Sequence, residues 1–312
     1  MNITALIVTY NRKTLLQECL QAVMNQSRPV DNIVIFDNSS SDGTALLFSE
    51  QPYCSDNRII YKRLHKNYGG AGGFYAGLKF CSQISDWVWL MDDDTIPNSS
   101  ALEELIKKGR ECVSDFREVS FLASKVVGSK NEPMNVPSID NSTSVNGYPN
   151  WYLDLEKGVV KIKSATFVSL LINVEAVRKV GLPIPWYFIW GDDVEYTSRL
   201  TKYYGNAFFV GASKVVHKRF NAKALSIWTE DNISRVNLFF YYVRNDLYNK
   251  QKYQGKVSVL KQIVSYEIGC LKSIFSKNSK YRFKRAYTVN KGILFYLLRR
   301  YDSSIQDEIS FE

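Results

Sequence analysis

The sequence predicts an α/β fold, with a mostly parallel central sheet that is covered by helices on both faces. Short β-rich runs alternate with helical patterns through the first half of the 312 residues, which is the order typical of parallel sheets. The composition, 45% hydrophobic and 23% charged, lies within globular limits and excludes a disordered or low-complexity chain. The length is enough for one large domain or two small ones with a sizeable core.

The predicted elements can be placed in chain order. We expect strands at 3–8, 32–36, 58–63 and 87–91, and helices at 14–24, 74–82 and from about residue 99. Residues 128–160 are rich in Pro, Asn and Ser and predict a long irregular insertion, a kind of loop that is often functional. A strand at 164–173, an aromatic turn at 185–190, a helix at 192–203 and a strand at 207–216 follow. Helices dominate from 233 onward, with an interruption near 277–281.

The net charge of +9 is concentrated in one segment. Residues 1–249 carry 27 basic and 26 acidic side chains, whereas residues 250–300 carry 13 basic and one acidic. The first 249 residues are therefore nearly neutral, which argues against a nucleic-acid binder with a basic surface across its fold. We predict a catalytic domain at 1–249 and a basic helical region at 250–312.

The chain has no obvious targeting or cross-linking signal. It lacks the roughly 18 uninterrupted apolar residues of a bilayer span and a basic segment ahead of its first apolar run. Its five cysteines are far apart and form no C-x-x-C pair, so neither a disulfide framework nor a zinc site is indicated. We expect a cytoplasmic protein with reduced thiols.

Three consecutive aspartates, Asp92, Asp93 and Asp94, end the apolar fourth strand. Ligands of open parallel sheets collect at the carboxyl ends of the strands. Asp92 and Asp94 face the same way in an extended segment, so their oxygens can hold a divalent cation together, while Asp93 points elsewhere. The alternative is a solvated acidic turn that caps the helix near Ser99.

The third strand is followed by a glycine-rich segment, residues 67–73 (NYGGAGG). Glycines let the backbone approach a ligand closely, and a helix that starts near Phe74 offers N–H groups to an anion. The segment is a poor dinucleotide fingerprint, because Tyr75 stands where the last glycine is required. We therefore expect no nicotinamide cofactor, and a flexible connector is the alternative.

Residues 188–196 (FIWGDDVEY) join an aromatic platform to three carboxylates at a helix start. Sugar rings pack on aromatic side chains and donate hydroxyl hydrogen bonds to carboxylates, so this composition suits a saccharide site. Favourable interaction of the carboxylates with the helix dipole is the alternative. His217, which closes the strand at 207–216, is either a metal ligand or, as lone histidines more often are, structural.

Taken in order, these motifs resemble the inverting family 2 glycosyltransferases of GT-A fold over residues 3–246. The resemblance rests on residues 8–12 (VTYNR), residues 37–44 (DNSSSDGT), Asn67 with its glycines, the three aspartates and residues 192–195 (DDVE). The glycine segment, the aromatic–acidic run, His217 and residues 241–245 (YYVRN) are most similar to bacterial galactofuranosyltransferases and their rhamnosyltransferase relatives.

The resemblance implies a role for each matching residue. The nucleotide and donor sugar would contact Thr9, Tyr10, Arg12, Asp37, Asn67, Gly70, Gly72, Asp92 and Asp93, with Asp37 at the uracil edge. The acceptor would contact Trp186, Trp190, Asp192 and Glu195. Mn²⁺ or Mg²⁺ would be bound by Asp92, Asp94 and His217, and Asp193 would be the catalytic base. Gly191 departs from the galactofuranosyl relatives, which tend to have Trp at this place.

The implied reaction is transfer of galactofuranose from UDP-galactofuranose to a hydroxyl group of a bacterial cell-surface glycan, which is free or lipid-linked. A dTDP-rhamnose-dependent rhamnosyltransferase is the alternative within the same chemistry. A non-catalytic, membrane-associated scaffold is the alternative from a different class.

The basic region also suggests a partner. Apolar residues recur at near-helical spacing from Tyr266 to Phe275, with Lys261, Lys272 and Lys277 among them. Such a stretch is typical of a surface that contacts anionic lipid, which would place the protein peripherally on the inner face of the cytoplasmic membrane through residues 250–300. Packing on the catalytic domain or on a second subunit of an oligomer is the alternative.

Overall fold

A computed structural model describes residues 1–219, 223–276 and 279–311 of the chain. The strands are β1 Ile3–Thr9, β2 Asn32–Asp37, β3 Ile59–Arg63, β4 Trp87–Asp92, β5 Thr95–Pro97, β6 Val119–Val127, β7 Ser138–Ile139, β8 Val159–Ser164, β9 Leu170–Asn173 and β10 Asn206–His217. The helices are α1 Lys13–Met24, α2 Gly69–Cys81, α3 Ala101–Cys112, α4 Val174–Val180, α5 Asp192–Tyr203, α6 Ile233–Gln254, α7 Lys256–Phe275, α8 Arg282–Leu297 and α9 Ile305–Glu308.

The strands form one sheet in the order β3-β2-β1-β4-β9-β6-β10-β8-β7, and β5 pairs with the end of β10. The neighbours β3, β2, β1 and β4 are parallel, and so are β6 and β10. The short strand β9 is antiparallel to both β4 and β6, so these two strands point the same way. The carboxyl ends of the longer strands therefore lie along one edge, which confirms the predicted α/β architecture.

Strand β1 is buried along its whole length because helices cover both faces of the sheet. Ile3, Ala5 and Ile7 share a core with residues of α1 and α3. On the opposite face, a Cβ atom at Gly77 of α2 would lie 2.5 Å from Leu6 Cδ1, which is far inside van der Waals contact. Glycine at this position thus allows α2 to approach β1 closely.

Two predicted boundaries differ from the structure. Helix α2 begins at Gly69 instead of near Phe74, because Asn67 Oδ1 accepts a hydrogen bond of 2.7 Å from Gly69 N and Gly69 takes a left-handed φ of +72°. The strand predicted at 164–173 is two strands. The chain leaves the sheet after Ser164, where Thr197 Oγ1 of α5 accepts a hydrogen bond from Ala165 N and donates one to its carbonyl.

The chain divides into two compact units. The first unit contains residues 1–185, 193–222 and 307–312, and the second contains residues 186–192 and 223–306. In the second unit, Phe239 and Val243 of α6 form a core with residues of α7 and α8. The boundary predicted at residue 249 falls inside α6, and Lys277 lies outside the described residues. In the described part of the chain, no helix is both long and apolar enough to span a bilayer.

We predict that Gly77→Ala destabilises the protein by about 1–3 kcal/mol, because the new methyl group overpacks the interface with Leu6. Gly70→Ala is the matched control in the same helix, since a Cβ atom at Gly70 meets no atom within 4 Å. The free energy of unfolding from urea titrations compares the two variants. Equal free energies of unfolding for Gly77→Ala and Gly70→Ala would contradict the close approach of α2 to β1.

Candidate active site

The candidate site lies where the carboxyl ends of β1, β2 and β4 come together. The register pairs Thr9 with Asp37 across β1 and β2, and Val8 with Asp92 across β1 and β4. The residues that follow each strand are therefore brought to one place. This is the edge at which open parallel sheets bind their ligands.

The short antiparallel strand β5 explains why His217 lies beside the aspartates. After Asp94 the chain forms β5, which is antiparallel to the end of β10 and pairs Thr95 with His217. Lys218 N donates a hydrogen bond of 2.8 Å to the Asp94 carbonyl, so the backbones of the two segments are joined. As a result, His217 Nε2 is 2.9 Å from Asp94 Oδ1.

Asp92, Asp94 and His217 together form a group that suits a divalent cation. One ligand atom from each residue lies within 4.8 Å of the others. Asp94 Oδ1 is buried, and His217 Nε2, which lies 2.9 Å away, can donate to it only when that nitrogen carries a proton. A buried carboxylate oxygen without a donor is costly unless a positive charge faces it. Carboxylate oxygens with an imidazole nitrogen are ligands of Mn²⁺ and related ions.

The pKa values show how strongly negative charge accumulates here. Burial, with the charges of Asp94 and Asp93, raises the pKa of Asp92 well above its ordinary value. Burial also raises the pKa of Asp93 to about 6, against the opposing charge of Arg12. Burial alone would raise the pKa of Asp94 too, but the His217 contact and Arg12 outweigh it and lower the pKa. The site thus favours a bound cation near Asp92.

Three of the residues expected at the nucleotide contact Asp93. Its carboxylate accepts hydrogen bonds from Thr9 Oγ1 at 2.8 Å, from Tyr10 N at 3.4 Å and from Arg12 Nη1 at 3.2 Å. Arg12 Nη1 also lies 2.7 Å from Asp94 Oδ2. The guanidinium group is nearly half exposed, whereas the Asp93 side chain is buried. Arg12 therefore neutralises the aspartates from the solvent side, and the Tyr10 side chain is exposed.

The other expected nucleotide residues have mixed surroundings. Asp37 is fully buried, and its carboxylate accepts hydrogen bonds from Ser40 N and Tyr61 Oη. Asn67 accepts the hydrogen bond from Gly69 N at the start of α2, as described above. A side chain at Gly72 would collide with Tyr68 Cβ at 2.4 Å, whereas the space beside Gly70 is open. Gly70 is therefore the position of this segment with room for a ligand, and the glycine at 72 is explained by packing.

The candidate base Asp193 lies in the first turn of α5. Its side chain is half-buried, and its charge is among those that raise the pKa of Asp92. Thr197 Oγ1 donates a hydrogen bond of 2.7 Å to the Asp193 carbonyl. Asp193 is therefore held within electrostatic reach of the aspartates, although it is about 100 residues away in sequence.

Glu195 has contacts other than those expected for an acceptor residue. Its side chain is fully buried, and both carboxylate oxygens accept hydrogen bonds of 3.1 Å from Arg199, one helical turn later. Arg199 in turn donates to the carbonyls of Val180 and Leu182. Contact of Glu195 with an acceptor stays a prediction, and in the structure its carboxylate belongs to a buried ion pair that ties α5 to the segment before it.

The aromatic turn before α5 is held in an unusual conformation. Phe188, Trp190 and Gly191 have left-handed φ values of +64°, +64° and +87°. Asn245 Nδ2 donates hydrogen bonds to the carbonyls of Tyr187, Ile189 and Trp190 at 2.8–3.2 Å. A left-handed backbone accounts for glycine at 191, since other residues adopt it at a cost. The Asn245 amide thus fixes the shape of the turn.

The side chains expected at the acceptor are packed to different degrees. The Trp186 ring stacks on Tyr187 and on Tyr301, with both centroid distances 4.6 Å. The Trp190 ring is only partly buried and packs against Phe239 at 4.7 Å. Asp192, the first residue of α5, is 6% exposed. Both tryptophans are thus partly buried, Trp186 between two tyrosine rings and Trp190 against Phe239.

One contact of His217 was not predicted. Asn135 Oδ1 lies 2.9 Å from His217 Nδ1, and Asn135 belongs to the irregular insertion. No periodicity or motif marks this residue in the sequence. The signal that was available is the composition of the insertion, whose many Asn residues suit left-handed turns and side-chain hydrogen bonding.

Comparison with known proteins identifies a family for the first part of the chain. Residues 4–121 match the family model described as glycosyl transferase family 2. The galactofuranosyltransferase GlfT1 of Mycolicibacterium smegmatis is 28% identical over 213 residues, which cover 64% of this chain and 65% of that protein. The chain thus spans just under two thirds of the length of this relative.

Solved structures agree on the fold. GalNAc-T7 with UDP, GalNAc and Mn²⁺ superposes with a TM-score of 0.58 at 11% identity, over 98% of this chain and 58% of that one. Staphylococcus aureus TarS in complex with UDP-GlcNAc superposes with a TM-score of 0.56 at 14% identity, over 94% of this chain and 81% of that one. With its sheet topology and its aspartate-bearing edge, the chain has the GT-A fold of these solved structures, and its residues 4–121 match the family model described as glycosyl transferase family 2.

Proposed function

We propose that the protein is a metal-dependent, inverting glycosyltransferase that transfers galactofuranose from UDP-galactofuranose to a hydroxyl group of a bacterial cell-surface glycan. The observation that carries this proposal is the group formed by Asp92, Asp94 and His217 at the carboxyl edge of the sheet, within electrostatic reach of Asp193. A cation site beside a carboxylate base is what transfer from a nucleotide sugar requires.

The residues at the edge fit Mn²⁺ or Mg²⁺. Asp92, Asp94 and His217 would hold the ion, and the orphaned Asp94 Oδ1 supports its presence. When bound, such an ion neutralises the negative charge of the departing diphosphate. The exposed Arg12 guanidinium lies beside the same aspartates and adds a fixed positive charge on the solvent side.

Asp193 is proposed as the base. Its carboxylate would accept the proton of the acceptor hydroxyl while that oxygen forms its bond to the anomeric carbon. The bond from the anomeric carbon to the diphosphate oxygen breaks, and UDP leaves with the bonding electrons. Attack opposite to the leaving group inverts the anomeric centre, so no covalent enzyme intermediate is required.

The choice of donor is supported by the comparisons. The GlfT1 relative is named as a galactofuranosyltransferase, and both structural neighbours bind UDP or a UDP-sugar. We therefore propose UDP-galactofuranose before dTDP-rhamnose. The proposed contacts of the nucleotide remain Thr9, Tyr10, Arg12, Asp37, Asn67 and Gly70. Among these, Gly70 has the open space described above.

The aromatic turn is proposed as the acceptor-binding segment, with Trp190 and Asp192 as its contacts. Residues in left-handed conformations other than Gly concentrate at functional sites, and both Phe188 and Trp190 have them. An aromatic ring beside a carboxylate suits a saccharide with one apolar face and several hydroxyl groups. Trp186 would contribute if the acceptor displaces Tyr301.

The proposal is tested by measuring nucleoside diphosphate release from a panel of sugar nucleotides with glycan and lipid-linked glycan acceptors. We expect turnover with UDP-galactofuranose, loss of activity in excess chelator and recovery on addition of Mn²⁺ or Mg²⁺. Turnover with dTDP-rhamnose alone would show that dTDP-rhamnose is the donor in place of UDP-galactofuranose. Unchanged rates in chelator would refute metal dependence, and no turnover with any donor would favour the non-catalytic scaffold.

We predict that Asp193→Asn lowers kcat by about 10²–10⁴-fold, since the amide keeps the size of the carboxylate but cannot accept the proton. Donor affinity, measured by calorimetry with UDP, should be unchanged. Asp192→Asn is the matched control at the neighbouring position, and it should raise the acceptor KM while leaving kcat nearly intact. A large loss of kcat in Asp192→Asn, together with a nearly intact kcat in Asp193→Asn, would assign the base to Asp192.

We also propose that residues 250–300 contact an anionic membrane, where a lipid-linked acceptor would reside. Helix α7 exposes apolar side chains at every third or fourth residue, so they form one stripe. These side chains are Val257, Leu260, Val264, Ile268, Leu271 and Phe275, and each is at least 47% exposed. Exposed lysines 256, 261 and 272 flank the stripe, and Glu267, which is half-buried, is the one acidic residue of the helix.

The charge of this surface favours lipid over a second copy of the chain. Two copies that pack through the stripe would bring like-charged lysines together, whereas an anionic bilayer complements them. Each basic residue near such a surface contributes on the order of 1 kcal/mol. Apolar side chains flanked by lysines are also the pattern of helices that lie in the membrane interface.

We predict that the protein sediments with vesicles of phosphatidylcholine and phosphatidylglycerol, and less with phosphatidylcholine alone. The double variant Leu260→Glu, Leu271→Glu should lose most of this binding, because it places carboxylates in the apolar stripe. Leu153→Glu is the control, since Leu153 is 60% exposed in the other unit. Equal vesicle binding by the double variant and by Leu153→Glu would reject the membrane surface. Light scattering could also reject it, if the wild type is a dimer and only the double variant is a monomer.

A further inference from the structure

We propose that Asn135 is a positioning residue that sets the tautomer of His217, so that the Nε2 lone pair faces the cation site. The inference rests on the proposed metal-dependent function, because His217 is a ligand only if a cation binds there. It assigns a role to the irregular insertion at 128–160, for which the sequence offers no motif.

The Asn135 amide makes two hydrogen-bond contacts in the structure. Asn135 Nδ2 donates to Thr166 Oγ1 at 3.0 Å, and the amide oxygen faces His217 Nδ1 at 2.9 Å. An amide oxygen only accepts hydrogen bonds, so in this orientation Nδ1 carries the proton. In a neutral imidazole the other nitrogen, Nε2, then has the free lone pair.

The lone pair is directed at the proposed ion position. Nε2 lies 2.9 Å from Asp94 Oδ1, a buried oxygen that receives no hydrogen bond from the ring in this tautomer. Two atoms that both carry lone pairs repel each other at this distance unless a positive charge is shared between them. A histidine ligand whose other nitrogen donates to a fixed oxygen is the usual arrangement in metal sites.

The backbone of the insertion holds Asn135 in place. Met134 is buried, and its N–H group donates to the Val126 carbonyl at the end of β6. Asn135 has a left-handed φ of +48°, a conformation that Asn adopts more readily than most residues. The insertion is therefore anchored on both sides of the amide, by β6 through Met134 and by Thr166 through the side chain.

The test is the affinity of the full-length protein for Mn²⁺ alone, measured by electron paramagnetic resonance. Asn135→Gly removes the amide and tolerates the left-handed backbone, and we expect its Kd to be about 10–100-fold weaker. Asn135→Asp keeps an acceptor oxygen and should bind within a few-fold of the wild type. Asn131→Gly is the matched control, because Asn131 is also left-handed, at +64°, and lies in the same insertion.

Nitrogen NMR of the two histidines of the chain gives a second readout, without metal. We expect the His217 ring to be protonated at Nδ1 in the wild type and to lose this single tautomer in Asn135→Gly. An unchanged Kd and an unchanged tautomer in Asn135→Gly would overturn the inference. If the wild type binds no Mn²⁺, the proposed metal dependence fails instead, and the tautomer still decides whether Asn135 positions the ring.

Discussion

The site is governed by the mutual repulsion of carboxylates that the fold forces together. Asp92 ends a buried strand and is partly buried, and Asp93 and Asp94 are buried after it, so the low dielectric of their surroundings strengthens their interaction. Arg12 neutralises part of this charge through Asp93 and Asp94. Burial and the charges of its two neighbours raise the pKa of Asp92, and this is where a cation is proposed to bind.

The scaffold around this charge is rigid for reasons that can be traced to individual contacts. Parallel pairing of β1 with β2 and β4 fixes the positions of three strand ends at once. Close packing of α2 on β1 depends on glycines that leave no room for a side chain. The pairing of Thr95 with His217 adds the fourth component, so the proposed ligands from two distant segments are joined through hydrogen-bonded backbone.

Much of the site could be predicted because its signals are local. A run of aspartates after an apolar strand indicates the sheet edge, although β4 ends at Asp92, and Asp93 and Asp94 lie in the turn before β5. Residues whose partners are remote could not be predicted. Asn135 depends on how the insertion folds back, and no spacing rule relates it to His217. Glu195 did carry a signal, since Arg199 stands four residues later on the same helix, but the aromatic context favoured a sugar contact.

The hydrogen bonds of Asn245 have a consequence for how this chain acquires specificity. The carbonyl groups that they fix belong to residues 187–190, whereas the amide belongs to helix α6. The geometry of the aromatic turn is thus encoded partly in a helix more than fifty residues downstream. A change in the shape of the turn must alter both segments in concert, and a graft that transplants the turn without its helical partner would carry the amino acids but lose their arrangement.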